Sequence, residues 1–97
     1  MVSVVIPNYN GERFLKDCLE ALRRQTYEDM EVILVDNAST DNSVELAQKL
    51  YPGIRVVELD DNTGFAYAVN RGIEAAEGEY VLLLNNCLLY TSDAADE

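Results

Sequence analysis

Four short polar segments carry the residues most able to bind a ligand, and each directly follows an apolar run. These segments are residues 7–10, 36–40, 60–64 and 85–86. In the first, Pro7 fixes a rigid turn, and the aromatic ring of Tyr9 stands between the amides of Asn8 and Asn10. In the second, the carboxylate of Asp36 could accept a hydrogen bond from the imide N–H of uracil or thymine. These residue types suit stacking and hydrogen bonding to a nucleobase.

Each of these residues also has a purely structural interpretation. Asn10 could cap the helix predicted after it, with Tyr9 packing locally. Asp36 could open its loop with an Asx turn, since aspartate is a common turn residue. Taken alone, both segments fit the structural and the functional interpretation equally well.

The third polar segment leads into a predicted helix whose N-terminus could favour an anion. This helix is surrounded by Asn62, Gly64, Asn70 and Arg71. The cation of Arg71 could contact a pyrophosphate. In the alternative interpretation, Asn70 and Arg71 lie on a solvated helix face and Gly72 is a point of close packing.

Short apolar runs predict four strands, at residues 2–6, 31–35, 54–59 and 80–84. Strands that alternate with helices indicate βαβ units, and therefore an α/β fold with a doubly wound parallel sheet. We expect the strand order 3-2-1-4. Ligands of such sheets bind at the carboxyl ends of the strands, where the order reverses, so the four polar segments should converge on one crevice.

Three amphipathic helices are predicted between these strands. The first spans residues 11–25, where apolar side chains recur at helical spacing, namely Phe14, Leu15, Cys18, Leu19 and Leu22. The second begins after residues 36–40, with Asp41 or Asn42 available as its N-cap. The third leads from Gly64 to Gly78.

Several nucleotide-binding classes are excluded by motifs that the chain lacks. The first strand is followed neither by G-x-G-x-x-G nor by a G-x-x-x-x-G-K-[ST] phosphate loop. A nucleotidyltransferase would need a Gly-rich basic loop there, and a phospho-acceptor receiver domain would need paired acids. Neither feature is present after Pro7.

The charge of the chain argues against polyanionic partners. Seven Lys and Arg residues against 18 Asp and Glu give a net charge of -11, which is the wrong sign for nucleic acid or an anionic membrane. An acidic chain that binds a diphosphate would need a divalent cation to bridge the like charges. We therefore expect a metal ion beside any diphosphate ligand.

Neither a membrane-spanning segment nor a signal peptide is predicted, and the expected compartment is the cytoplasm. The full-length protein could associate with the inner face of the membrane. Cys18 and Cys87 lack metal-ligand spacing, and Cys18 is interpreted as a small core residue.

Taken together, the motifs resemble those of the family 2 glycosyltransferases, over residues 2–86. The resemblance is carried in order and spacing by VSVVIPNYNGERFLKDCLEALRRQTY, EVILVDNASTDNS and NTGFAYAVNRGIEAAEGEYVLLLNN. It is closest to the rhamnosyltransferase-like branch, whose members carry VDNAST, N-x-G-F-A and LLLNND at these places. The resemblance implies the N-terminal half of a GT-A (Rossmann-like) fold.

The resemblance also implies inverting transfer from a nucleotide diphosphate sugar of the UDP or dTDP type, with Mg²⁺ or Mn²⁺ on the diphosphate. The acceptor would be a glycan or a lipid-linked molecule in cell-wall or polysaccharide biosynthesis. By the family pattern, Pro7, Tyr9 and Asp36 contact the nucleotide, and Gly64, Asn70 and Arg71 line its sugar-phosphate side. The full set of candidate nucleotide-sugar-binding residues is Pro7, Asn8, Tyr9, Asp36, Asn62, Gly64, Asn70 and Arg71.

The chain departs from the family pattern in the expected metal motif. Where the family has Asn-Asn-Asp, this chain has Asn85, Asn86 and Cys87, and a neutral thiol is a poor ligand for Mg²⁺ or Mn²⁺. Residues 87–97 resemble translated sequencing adapter rather than family sequence, although a hairpin strand or a divergent tail would be alternatives.

We therefore expect a partial nucleotide-sugar-binding domain at residues 1–86 and a non-family tail at residues 87–97. In the family the catalytic base lies beyond residue 97, so the chain by itself should bind the donor without transferring sugar. The alternative is a non-catalytic nucleotide-binding or interaction module.

Overall fold

The computed structural model describes residues 1–24 and 29–84. Its elements are β1 (Val2–Asn8), α1 (Glu12–Arg23), β2 (Met30–Asp36), α2 (Ser43–Leu50), β3 (Arg55–Glu58), α3 (Phe65–Ala75) and β4 (Tyr80–Leu83). The four strands form one parallel sheet in the order β3-β2-β1-β4. The predicted α/β class and strand order are confirmed. Within the described ranges, no helix combines the length and the apolar character needed to cross a membrane.

The sheet is buried on both faces along its two central strands. In β1, Val4 and Ile6 pack against α1 and α2, whereas Val5 between them packs on the face that α3 covers. All three side chains are fully buried, as continuous β-branched runs in a parallel sheet should be. β2 repeats the pattern in register with β1, so Asn8 and Asp36 end their strands side by side.

Helix α1 buries one apolar stripe, which confirms most of the predicted face. Its buried residues are Leu15, Cys18, Leu19 and Leu22. Burial raises the pKa of the Cys18 thiol to about 11, so Cys18 stays neutral and acts as the predicted core residue. Phe14 differs from the expectation, because 44% of its surface is exposed.

Strand β1 runs two residues past its predicted end, through Pro7 to Asn8. A central strand donates backbone hydrogen bonds to both neighbouring strands, and proline has no N–H to donate to the neighbour that it faces. The Val5 carbonyl accepts from Leu84 N–H on the β4 side, and the Asn8 carbonyl accepts from Asn37 N–H on the β2 side. Because these directions alternate, Pro7 faces the β4 side, where the pairing with β1 ends at Val5.

A polar cluster around Glu31 ties the amino ends of the strands to the chain that follows α3. The Glu31 carboxylate accepts hydrogen bonds from the Ser3 hydroxyl at 2.5 Å, the Glu77 N–H at 2.7 Å and the Arg55 guanidinium at 2.8 Å. The Gly78 N–H donates to the Ser3 hydroxyl at 2.9 Å. The backbone N–H of Glu77, with the Ser3 hydroxyl and Arg55, holds the pKa of Glu31 at about 2 against the cost of burial.

Replacing Glu31 with glutamine is expected to lower the free energy of unfolding by about 1 kcal/mol at neutral pH, because a charged acceptor is lost. The folded-state pKa of about 2 lies below the ordinary 4.5. The stabilisation is therefore complete above the ordinary value and is lost as the pH falls through the folded-state value. Urea unfolding of both proteins should show a difference that shrinks between about pH 5 and pH 2. A difference that stays constant with pH would contradict this assignment.

Candidate functional site

A pocket of about 300 Å³ opens at the carboxyl edge of the sheet, where the predicted polar segments were expected to converge. Its lining residues are Pro7, Asn8, Tyr9, Asn10, Gly11, Phe14, Asn37, Asn62, Phe65 and Ala68. Four of the eight predicted site residues are among them, namely Pro7, Asn8, Tyr9 and Asn62. None of these lining side chains is charged.

Asp36 lies beneath this edge as the centre of a hydrogen-bond network and is only 4% exposed. Its Oδ1 accepts from the Asn8 amide at 3.0 Å and from the Ser39 hydroxyl at 2.6 Å. Its Oδ2 accepts from the Ser39 N–H at 3.1 Å. Asp36 therefore organises its own loop, as the structural interpretation held, but its backbone partner is Ser39, three residues on, and not the second residue on that an Asx turn would use. Oδ2 accepts one hydrogen bond from Ser39, and a carboxylate oxygen can accept two.

Asn37 joins the loop after β2 to the loop before α3, although no sequence pattern singled it out. Its Oδ1 accepts from the Thr63 N–H at 2.8 Å and from the Thr63 hydroxyl at 3.1 Å. Its amide donates to the Gly64 carbonyl at 3.1 Å. Asn37 is 5% exposed, so these bonds are partly shielded from solvent and hold the two loops in one arrangement.

Asn10 does not cap α1, contrary to prediction. Gly11 occupies the N-cap position of α1, and no side chain caps that end from there. The Asn10 side chain instead accepts hydrogen bonds from the Thr40 N–H at 2.8 Å and the Asp41 N–H at 3.3 Å. Asn10 has a φ of 50°, which asparagine tolerates and which turns its side chain to the neighbouring loop.

The N-termini of α1 and α2 cap one another through Asp41 and Glu12. Asp41 accepts from the Glu12 N–H at 3.1 Å and from the Ser43 N–H at 3.0 Å, while Glu12 accepts from the Asn42 N–H at 3.3 Å. Burial acts to raise the pKa of Asp41, but the hydrogen bonds from Ser43 and Glu12 outweigh it and hold that pKa below its ordinary value. Of the two predicted caps, Asp41 makes these bonds, and Asn42 makes no side-chain cap bond.

Gly64 begins α3 in a conformation that glycine favours, with φ at 89° and ψ at 167°. Its N–H donates to Asn62 Oδ1 at 3.3 Å, which closes the turn into the helix. The first turn of α3 has neither a side-chain cap nor an acidic residue. Its backbone N–H groups are therefore available to an anion, as the sequence predicted for this end.

Asn70 and Arg71 lie further along α3 and do not line the pocket. Asn70 is exposed, and Arg71 pairs with Glu74 and lies 4.9 Å from the centre of the Tyr67 ring. Gly72 is buried against the sheet, where an added Cβ would lie 2.4 Å from a Val5 methyl group. The structure thus shows the close packing at Gly72, and the roles of Asn70 and Arg71 in binding remain predictions.

The expected metal motif, Asn85, Asn86 and Cys87, lies outside the described residues. Within residues 1–24 and 29–84, no group of three or more His, Cys, Asp or Glu side chains could hold a metal ion. The described part of the chain therefore does not by itself supply a set of side-chain ligands for Mg²⁺ or Mn²⁺. The predicted tail at residues 87–97 also lies outside the described part of the chain.

Comparison with known proteins identifies relatives among the glycosyltransferases. Glycosyltransferase GlyG of Streptococcus pneumoniae is 39% identical over 89 residues, which cover 89% of this chain and 30% of GlyG. The crystal structure of S. aureus TarS residues 1–349 with UDP-GlcNAc superposes with a TM-score of 0.82 at 29% identity, covering 97% of this chain and 30% of that one.

A second solved structure is the mannosyltransferase PcManGT from Pyrobaculum calidifontis, in complex with GDP-Man and Mn²⁺. It superposes with a TM-score of 0.80 at 29% identity, covering 88% of this chain and 27% of that one. The chain thus spans about 30% or less of each of these three relatives. These superpositions confirm the predicted GT-A fold.

The family is established by a match to most of the chain. A family model described as Glycosyl transferase family 2 matches residues 3–94, and it extends past the predicted boundary at residue 86. The matched part contains every described element of the sheet and its helices, apart from Val2 at the start of β1. The chain therefore belongs to glycosyl transferase family 2.

Proposed function

We propose that this chain is the donor-binding part of an inverting glycosyltransferase that moves a sugar from a nucleotide diphosphate sugar to a glycan or lipid-linked acceptor. The observation that carries the proposal is the uncharged pocket at the carboxyl edge, which Pro7, Asn8, Tyr9 and Asn62 help to line. The ligands of the two structural relatives, UDP-GlcNAc and GDP-Man, are both nucleotide sugars.

In this proposal the nucleotide lies across the loops that follow β1 and β2. Tyr9, which is 50% exposed, offers its ring to the face of the base. Asp36 accepts the imide N–H at the remaining lone pair of Oδ2, which suits the uracil or thymine of a UDP or dTDP donor. The diphosphate extends towards Gly64, where the uncapped first turn of α3 presents its N–H groups.

The chemistry of the proposed reaction is a single displacement at the anomeric carbon. The acceptor hydroxyl attacks that carbon, a carboxylate takes its proton, and the nucleoside diphosphate leaves from the opposite face, which inverts the configuration. A divalent ion, when bound, would neutralise charge on the departing diphosphate. The described residues hold the donor and exclude water from the base, and Arg71 is proposed to approach the sugar-phosphate side.

The rhamnosyltransferase-like branch is proposed on the strings VDNAST and N-x-G-F-A, which residues 35–40 and 62–66 carry. A non-catalytic nucleotide-binding module is the second candidate. It is favoured by the hydrogen bonds that already engage Asp36 within its own loop and Asn37 with the loop before α3. Both candidates require the same nucleotide pocket.

The proposal is tested by calorimetric titration of the chain with UDP, dTDP and GDP in the presence of Mn²⁺. We expect one of these nucleotides to bind, and Tyr9→Ala to weaken it by about 5-fold or more, since stacking contributes about 1 kcal/mol or more per base. Tyr80→Ala is the matched control, because Tyr80 is 69% exposed at the opposite end of the sheet. Absence of binding by all three nucleotides would refute the proposal.

A further inference from the structure

Three aromatic rings from different parts of the chain line the pocket, and each is about half exposed. Tyr9 follows β1 and is 50% exposed, Phe14 lies on α1 and is 44% exposed, and Phe65 begins α3 and is 52% exposed. Only Tyr9 is among the predicted binding residues. Large apolar rings left half in water gain little for the fold, so their convergence on one pocket calls for a ligand.

Neither Phe14 nor Phe65 belongs to a hydrophobic core cluster of the described residues. The core face of α1 is supplied by Leu15, Cys18, Leu19 and Leu22, and Phe14 is excluded from that core. Its ring lies beside the exposed Arg13 guanidinium, at 6.0 Å. Phe65 is the first residue of α3, whose core contact is made by Ala68. Both rings can therefore contact a ligand in the pocket.

The chemistry of the pocket favours a planar heterocycle over a phosphate. The polar side chains of the lining are the amides of Asn8, Asn10, Asn37 and Asn62 and the hydroxyl of Tyr9, with no charged side chain. A phosphate would need cations, which this lining lacks, or free N–H groups such as those at the start of α3, whereas a nucleobase needs aromatic faces and neutral hydrogen-bonding groups. The volume of about 300 Å³ lies at the lower end of the range for small-molecule sites, which suits a nucleoside better than a whole nucleotide sugar.

We propose that Phe14 and Phe65, together with Tyr9, form a stacking pocket for the nucleobase of the donor. This inference rests on the proposed function and adds two specificity-determining residues to it. The base would be enclosed by rings from the loop after β1, from α1 and from α3, with the diphosphate directed out of the pocket. The affinity for the base would then depend on the presence of an aromatic ring at positions 14 and 65.

The test measures the affinity of the full chain for the nucleoside diphosphate that binds best and for its nucleoside. Phe14→Ala and Phe65→Ala should each weaken both ligands by about 5-fold or more, and by the same factor, because the lost contact is with the base. Phe65→Tyr should retain affinity, whereas Phe65→Leu, which stays apolar without a ring, should lose it. Tyr80→Ala should bind like the wild type.

The outcomes separate this inference from the proposed function. If the wild type binds a nucleotide and Phe14→Ala and Phe65→Ala bind it equally well, the stacking pocket is wrong and the proposed function stands. If Phe65→Leu binds as tightly as Phe65→Tyr, stacking on Phe65 is refuted. If no nucleotide binds to the wild type, both are refuted. Far-UV circular dichroism and urea unfolding should show folded variants, since both rings are half exposed.

Discussion

Replacing Asp36 with alanine is expected to lower the free energy of unfolding by about 3 kcal/mol and to abolish nucleotide binding. Asp36 is 4% exposed and accepts three hydrogen bonds, one from Asn8 and two from Ser39. Alanine leaves these donors without their charged acceptor in a site that water barely reaches. The same change releases the loop after β2 and removes the proposed acceptor for the base.

Urea unfolding measures the loss of stability, and calorimetric titration measures the loss of nucleotide binding. Asp36→Asn should lie between the wild type and Asp36→Ala, because it keeps one acceptor oxygen but turns an amide towards a donor. Asp17→Ala is the matched control, since Asp17 is exposed on α1, and it should change stability by less than about 0.5 kcal/mol. If Asp36→Ala matched this control in both measurements, the assigned role would be wrong.

The sheet was predictable because its signals are local and repeated. The apolar run of β1 is too short for a helix and rich in β-branched residues, which indicates a strand. Its side chains alternate between the two faces of the sheet, since Val4 and Ile6 lie in one core cluster and Val5 lies in the other. The expected strand order 3-2-1-4 is the usual one for the first four strands of a doubly wound sheet. The crevice could then be placed at the carboxyl ends without knowledge of any contact.

The loop network could not be predicted, because its partners are distant in sequence. Asn10 and Thr40 are 30 residues apart, and Asn37 and Thr63 are 26 apart. Sequence patterns favour local partners for asparagine, such as the helix that follows it. They therefore predict Asn10 as the cap of α1, whereas its side chain bonds the loop before α2. Only the register that brings Asn8 beside Asp36 places these loops within hydrogen-bonding distance.

The interpretation of Phe14 failed for a related reason. Helical spacing shows that Phe14 and Leu15 lie near one stripe, but it does not show where the core ends. The core beneath α1 is filled by other residues of that helix, such as Leu15 and Leu19. Phe14 therefore lies at the margin of the core and lines the pocket. A bulky aromatic residue at the start of an amphipathic helix, beside a polar loop, was the one available signal.

Replacing Gly72 with alanine is expected to lower the free energy of unfolding by about 2 kcal/mol. The added Cβ would lie 2.4 Å from a methyl carbon of Val5 and 2.8 Å from one of Val35, both in fully buried side chains. Overpacking costs up to about 3 kcal/mol, which outweighs the gain of about 1 kcal/mol that alanine has over glycine in a helix. α3 must therefore move away from the sheet.

This displacement should also weaken nucleotide binding, because Phe65 and Ala68 on the same helix line the pocket. Urea unfolding and calorimetric titration of Gly72→Ala measure the two effects. Ile73→Ala is the matched control, since Ile73 is the next residue of α3 and is 47% exposed, so it should change stability by only about 0.5 kcal/mol. The methyl group added at position 72 can be accommodated only if α3 moves away from the sheet. If Gly72→Ala were as stable as the wild type, α3 would not pack this closely on β1 and β2.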